Sequence, residues 1–350
     1  MRKNIVFCGG GSGGHVLPAL SLIKKIRETV PTAEIVCIGS YEGIESRLLS
    51  SFNYTGISTG KLRRYFSLEN MLDFFKVIYG VGQAYLKLFS FDRRDTVIIS
   101  TGGFVTIPVV LAGWLQGKPI LLHEQTTRAG LANRITSFFA DRCLLTFKES
   151  LPFFPLEKSK FVGYPFREEV FQPAPNISIK GKLLGEIDRP ILFLTGGGNG
   201  SKLLNDSLYE LLPFLSQEFF IVHQCGHNFY KDLVKDETET YKVFDFVGDE
   251  MIALMKKSSV IISRSGAGTV CELVALGKPS IFIPLKIAQK NEQFHNAVAA
   301  RDLLGSIVIE EEELTQNALL KAIEEIQRKP SLPLLKKNPI DLILEEISNI

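Results

Sequence analysis

The chain has 350 residues, room for about two domains of ordinary size, each with its own core. Hydrophobic residues make up 45% and charged residues 22%, which excludes a disordered chain. Lys+Arg 40 against Asp+Glu 38 leaves a net +2, too even for a nucleic-acid binder held by bulk charge, so no nucleic-acid partner is expected. The five cysteines (Cys8, Cys37, Cys143, Cys225, Cys271) are scattered and odd in number. They fit neither a disulfide framework nor a zinc cluster, and suit a reducing cytosol.

The first apolar run, Asn4–Cys8, reads as a strand and is too short for the apolar region of a signal peptide. It runs into Gly9-Gly10-Gly11-Ser12-Gly13-Gly14-His15 and then a helical pattern over Pro18–Thr29. Further strands are expected at Glu34–Ile38, Thr96–Ser100, Ile120–Leu122 and Arg142–Leu145. A second series follows at Ile191–Leu194, Phe219–His223, Lys242–Phe246, Val260–Ser263 and Ser280–Ile283, with a helix over Gly268–Leu276. Strands apolar on consecutive positions are covered on both faces, so the fold class is α/β with parallel sheets. Thr96 to Gly117 is uncharged and long enough to cross a bilayer, but Gly102-Gly103 and Pro108 divide it into strand, turn and a helix over Pro108–Gln116.

The strand and polyglycine turn at the start are echoed by Pro190-Ile191-Leu192-Phe193-Leu194-Thr195-Gly196-Gly197-Gly198-Asn199-Gly200-Ser201. Two such starts half a chain apart predict two doubly wound, Rossmann-like halves. The expected domains are 1–163 and 164–335, joined through a proline-bearing connection over Gly163–Arg189 and followed by a break at Lys329–Pro333. An amphipathic helix in 336–350 is expected to pack back on the first domain.

Several loops have the composition of ligand sites. Gly9 to Gly14 joins a strand to a helix, where close backbone approach and free N–H groups suit a phosphate. It matches neither the dinucleotide nor the Walker pattern, and a ligand-free tight turn is the bland alternative. His15 follows directly and is the first candidate for a general base, against a structural histidine. His123-Glu124-Gln125 ends a strand, where open α/β sheets place ligand contacts; Glu124 is the second candidate base, with a hydrogen-bonded turn as its plainer reading. In the second half, Ser263-Arg264-Ser265-Gly266-Ala267-Gly268-Thr269-Val270-Cys271-Glu272 is another strand, turn and helix start. Its amides suit a diphosphate, and Glu272 suits a ribose diol or, alternatively, a cap. Gln289 to Ala297, with Gln293, carries the amide and acid groups that hydroxyl-rich sugars need.

These segments together resemble one family. Gly-Gly-Gly-Ser-Gly-Gly-His, His-Glu-Gln with Ala129-Gly130-Leu131-Ala132-Asn133-Arg134, Val162-Gly163-Tyr164-Pro165-Phe166-Arg167, and Arg264 to Glu272 look like the bacterial peptidoglycan glycosyltransferases of the MurG family. That family moves N-acetylglucosamine from UDP-GlcNAc to lipid I, making lipid II. The resemblance spans nearly the whole chain. It implies a GT-B architecture of two Rossmann-like domains facing across a cleft, with the donor mainly on the C-terminal domain. For UDP-GlcNAc it implies Ser12, Gly13, Gly14, Thr126, Arg167, Gly198, Val247, Ala267, Gly268, Thr269, Val270, Cys271, Glu272 and Gln293, with Ser12, Gly13 and Gly14 at the reacting sugar or at the acceptor diphosphate, Arg167 near the donor diphosphate and Glu272 on the ribose. For the acceptor diphosphate it implies Gly11, Gly102 and Gly103. The chain departs from the family pattern at Thr126, Tyr164, Gly198-Asn199 and Glu292, where the family usually has Asn, Asn, Ser-Gln and Gln.

No Asp-x-Asp pair ends a strand, so no metal and no other cofactor is expected. Lys61 to Phe89 is rich in large apolar residues with basic ones interspersed. Tyr65, Phe66, Phe74, Phe75 and Tyr79 suit contact with an anionic membrane surface, against a helix that packs one face on the sheet. The resemblance implies a peripheral enzyme on the cytoplasmic face of the plasma membrane. A UDP-hexose glycolipid synthase and a UDP-GlcNAc 2-epimerase share the expected architecture and are the rival readings.

Overall fold

The computed structural model describes residues 2–60, 68–286, 291–331 and 335–350, with only the helix backbone over 68–72. They form two compact units, Met1–Phe166 with Asn338–Ile350, and Arg167–Lys337. In chain order the first unit holds β1 (Asn4–Gly9), α1 (Gly13–Thr29), β2 (Glu34–Ser40), α2 (Ile44–Leu48), β3 (Asn53–Ile57), α3 (Leu68–Phe89), β4 (Thr96–Gly102), α4 (Thr106–Leu115), β5 (Ile120–Glu124), α5 (Leu131–Thr136), β6 (Arg142–Leu145) and β7 (Ser159–Phe161). The second holds the short ribbon β8 (Ser178–Ile179) and β9 (Lys182–Leu183), then β10 (Ile191–Thr195), α6 (Lys202–Glu218), β11 (Phe220–Gln224), α7 (His227–Leu233), β12 (Tyr241–Phe244), α8 (Met251–Lys257), β13 (Val260–Ser263), α9 (Ala267–Leu276), β14 (Ile281–Phe282), α10 (Glu292–Leu304), β15 (Ile307–Val308) and α11 (Gln316–Gln327). The last helix, α12 (Ile340–Ser348), belongs to the first unit.

Both sheets are parallel and wound alike. The first has the order β3-β2-β1-β4-β5-β6-β7 and the second β12-β11-β10-β13-β14-β15. In each, the strand order reverses beside the first strand, between β1 and β4 and between β10 and β13. That reversal opens a crevice at the carboxyl ends of the strands, where the polyglycine turns lie. Side chains of β1 alternate between two cores. Ile5 and Phe7 pack with Val16, Leu22 and Ile26 of α1 and with Ile340, Ile343 and Ile347 of α12. Val6 and Cys8 pack with Ala84 and Leu88 of α3 and Val109 and Val110 of α4.

The division between units falls at 166/167 and 337/338 rather than at 163/164 and 335/336. Tyr164 and Phe166 are buried, with ring centroids 5.0 Å apart. Asn338 Nδ2 donates to the Phe166 carbonyl at 2.9 Å, tying the chain's exit and return together. Helix α1 starts at Gly13, five residues before the expected Pro18. Proline so near a helix start removes one bond, to the Gly14 carbonyl, and the helix runs through it. Strands β3, β7 and β15 were not expected, because each lies at or next to a sheet edge and is only partly buried, without a continuous apolar run.

His223 on β11 is enclosed, with Nδ1 2.9 Å from the Tyr241 hydroxyl and Nε2 2.9 Å from Asn205 Oδ1. Burial pushes its pKa down to about 3, well below the unfolded value near 6.5. Between those values the unfolded chain binds a proton that the folded one refuses, so stability falls as pH drops through that window. His223→Gln removes this contribution. In urea unfolding, the stability gap between parent and variant is expected to narrow by a few kcal/mol from pH 7 to pH 4. A gap independent of pH contradicts a neutral buried His223.

Candidate active site

In the first unit the turns after β1 and β4 meet backbone to backbone. Gly10 N donates to the Gly102 carbonyl at 3.1 Å. Gly103 has φ +88, and a Cβ there would lie 2.1 Å from the Gly10 carbonyl oxygen, so no side chain fits. Glu45, fully buried, reaches under the turn from α2: one oxygen accepts from Gly11 N at 3.0 Å, the other from Ser40 N at 3.1 Å and Ser40 Oγ at 2.5 Å. This corrects the expectation for Gly11. Its amide is spent on a carboxylate. Ser12 sits at the N-cap without capping through its side chain, and the helix start leaves the amides of Gly13 and Gly14 without intrahelical partners.

His15 is the third residue of α1. Its Nδ1 lies 3.1 Å from the Thr101 carbonyl and 3.2 Å from Gln125 Oε1. A carbonyl only accepts, so Nδ1 is the donor in this contact. Glu124 is 1% exposed; Oε1 accepts from Thr126 N at 2.9 Å and Thr126 Oγ1 at 2.8 Å, and Oε2 from Asn133 Nδ2 at 3.0 Å. That is the hydrogen-bonded turn, and a carboxylate so engaged is poorly placed as a base. Thr126 Oγ1 also lies 2.7 Å from the Arg128 carbonyl.

The second unit repeats the plan. Gln224 braces the turn after β10, donating to Thr195 Oγ1 at 3.0 Å and the Gly197 carbonyl at 2.9 Å while accepting from Val247 N at 2.8 Å. Val247 is therefore limited to its carbonyl or side chain in any donor contact. Gly198 lies in this turn, next to Gly197 with φ +79. Arg264, after β13, donates to Ser201 Oγ at 2.9 Å and the Ile283 carbonyl at 3.1 Å, and pairs with Glu311 at 2.7 Å.

Gly266 caps α9, leaving the amides of Ala267, Gly268 and Thr269 without intrahelical partners, while Val270 N bonds the Gly266 carbonyl at 3.0 Å. Val270, Cys271 and Glu272 are all buried. Gln293 in the first turn of α10 accepts from Leu285 N at 3.1 Å through Oε1, which points its amide nitrogen elsewhere, and Ser265 Oγ donates to the Gln293 carbonyl at 2.8 Å.

Glu272 and Arg167 form a bidentate pair: Nε donates to Oε1 at 2.9 Å and Nη2 to Oε2 at 3.1 Å. Arg167 was expected at a diphosphate; Nε and Nη2 of its guanidinium are engaged by this carboxylate. The fork fixes the carboxylate plane and uses one lone pair on each oxygen, leaving a second on each for a diol.

With that geometry in hand, likeness to known proteins is decisive. Residues 5–145 match the glycosyltransferase family 28 N-terminal domain, and residues 191–342 the family 28 C-terminal domain. The UDP-N-acetylglucosamine–N-acetylmuramyl-(pentapeptide) pyrophosphoryl-undecaprenol N-acetylglucosamine transferase of Geobacillus thermodenitrificans is 40% identical over 93% of this chain and 91% of its own length. The protein of the same name from Clostridium tetani is 37% identical over 99% and 98%. The chain belongs to glycosyltransferase family 28.

Among solved structures, Acinetobacter baumannii MurG is 25% identical, with a TM-score of 0.65 over 98% of this chain and 99% of that one. A putative UDP-N-acetylglucosamine 2-epimerase from Listeria monocytogenes reaches a TM-score of 0.68 over 100% and 96% at 13% identity, a likeness of fold alone. The two parallel-sheet units are those of the GT-B fold, and this family 28 member is a glycosyltransferase.

Within the first unit, then, His15, Ser12–Gly14, Gly102 and Gly103 share one crevice edge with Gln125. Within the second, the first turn of α9 and Gln293 share another, bound through Ser265. Tyr65 and Phe66 lie outside the described residues. On α3, Val77, Ala84 and Leu88 face the core, while Phe74, Phe75, Ile78, Tyr79, Leu86 and Phe89 are exposed. One packing stripe thus accounts for only part of the apolar content. No helix among the described residues is long and apolar enough to cross a membrane. Sequence reasoning missed Glu45 and Gln224. For Glu45 the signal was present in Gly39 and Gly43, where a Cβ would come within 2.7 Å of its side chain.

Glu45→Gln puts an amide NH2 against backbone N–H donors. It is expected to destabilise the first unit by about 1–3 kcal/mol in urea unfolding; parental stability contradicts the clamp.

Proposed function

We propose that the chain transfers N-acetylglucosamine from UDP-GlcNAc to the C4 hydroxyl of the muramyl sugar of undecaprenyl-pyrophosphoryl-MurNAc-pentapeptide, lipid I, forming lipid II for the cell wall. One observation carries the reading: relatives bearing the transferase name align almost end to end at 37–40% identity. The likeness to an epimerase is of fold alone.

In the mechanism, the acceptor oxygen attacks the anomeric carbon of GlcNAc in a single displacement with inversion. Its proton passes to His15 Nε2, and the C1–O bond breaks with its electron pair leaving on UDP. Amides at the start of α9 supply a fixed positive field for that charge, placed before reaction and free of reorganisation. Glu272, held by Arg167, accepts the ribose hydroxyls, and the amide nitrogen of Gln293 serves the sugar. Gly13 and Gly14 offer amides to the acceptor diphosphate. The exposed face of α3, with Lys76 and Lys87 among its aromatics, seats the enzyme peripherally on the anionic cytoplasmic surface of the plasma membrane.

The test is a transfer assay with UDP-GlcNAc and lipid I in detergent. UDP release matched by disaccharide formation is expected; turnover of UDP-GlcNAc without acceptor favours the epimerase, and use of diacylglycerol the glycolipid synthase. Glu272→Ala is expected to raise the donor KM about 10- to 150-fold, leaving the acceptor KM little changed. An unchanged donor KM contradicts its ribose role. His15→Ala is expected to lower kcat about 10²- to 10⁴-fold at an unchanged donor Kd; a kcat near parental removes it as the base. Phe74→Ser with Phe75→Ser and Tyr79→Ser is expected to weaken binding to phosphatidylglycerol vesicles at least about tenfold. Undiminished vesicle binding contradicts the membrane assignment.

A further inference from the structure

The base assignment leaves open what holds His15 in the required tautomer. A hydrogen-bond chain in the first unit answers this, and each of its polarities follows from a group that can only accept. His123 Nε2 lies 3.1 Å from the Gly163 carbonyl, so that nitrogen carries the proton. His123 Nδ1 then bears a lone pair and receives Gln125 Nε2 at 3.1 Å. The second N–H of the same amide goes to the His123 carbonyl at 3.0 Å. Turning the amide over would set its oxygen against two acceptors, so Gln125 Oε1 must face His15 Nδ1, at 3.2 Å. The Thr101 carbonyl, 3.1 Å from the same nitrogen, adds a second acceptor.

We propose that Gln125, oriented by His123, is a positioning residue that fixes His15 as the Nδ1–H tautomer and so directs the Nε2 lone pair at the acceptor hydroxyl. Histidine bases are commonly oriented by a carboxylate partner. Here a neutral amide takes that place, and the nearby carboxylate, Glu124, is committed to Thr126 and Asn133. A neutral partner sets the tautomer without adding charge. Burial supports the arrangement by pushing the pKa of His123 down to about 4, which keeps its ring neutral and Nδ1 an acceptor. His123 and Gln125 are each 1% exposed, so water does not compete for these bonds.

The inference rests on the proposed transfer with His15 as base, and its test separates the two. Long-range ¹H–¹⁵N spectra of the full chain labelled with ¹⁵N-histidine, at pH 8, report the tautomer directly, with the His15 signals assigned by their loss in His15→Gln. The Nδ1–H form is expected in the parent protein; a predominant Nε2–H form overturns the proposal, whatever the activity. Gln125→Leu, similar in size, is expected to lower kcat about 2- to 10-fold at an unchanged donor KM, the cost of one neutral hydrogen bond. A folded Gln125→Leu protein with parental kcat overturns it too. If that variant does not fold, the parent spectrum still decides. Parental kcat in His15→Ala would instead remove the base assignment and leave the tautomer result standing.

Discussion

Backbone has to touch backbone at the turn that leaves the first strand of each sheet. In both sheets the turn that leaves the first strand lies against a neighbouring turn with no room for a side chain. The Gly103 position comes within 2.1 Å of the Gly10 carbonyl, and the Gly200 position within 2.0 Å of the Cys225 carbonyl. The polyglycine sequences are first a steric requirement of that packing. What the first of them offers a ligand follows from it: helix α1 begins at that turn, with the amides of Gly13 and Gly14 unpartnered within the helix; α9, in the second unit, begins after β13 instead, at Gly266.

The charged groups around these turns are organised to keep them rigid. Glu45 satisfies three donors beneath the first turn, Glu124 three around the β5–α5 connection, and Arg264 holds Ser201 and Glu311 in the second unit. Burying such groups is costly, and their partners recover that cost without adding much stability. Geometry is the gain. Glu272 is the informative case: its Arg167 fork fixes the plane of a buried carboxylate and leaves its outer lone pairs directed away from the arginine.

The central strands of both sheets were legible in the sequence because they are covered on two faces and read as unbroken apolar runs. The weaker strands β3, β7 and β15 were not, since half-exposed residues such as Asn53 and Lys160 carry no such run. Site legibility divided the same way. Glycine turns and the residues next to them, His15 and Glu272, are marked by local spacing. Pairings across sequence are not: Glu45 meets Gly11 from 34 residues away, and Arg167 meets Glu272 from 105. A diphosphate role for Arg167 came from resemblance, which does not report that the nearest carboxylate engages it.

In the proposed transfer the substrates divide between the units, donor amides at the start of α9 and acceptor amides at the start of α1. Hydrogen–deuterium exchange with UDP-GlcNAc alone tests that division most directly. Slowed exchange over 265–272 and 292–296, with 9–15 unchanged, is the result the account predicts. Protection confined to 9–15, with the α9 segment unaffected, would contradict it.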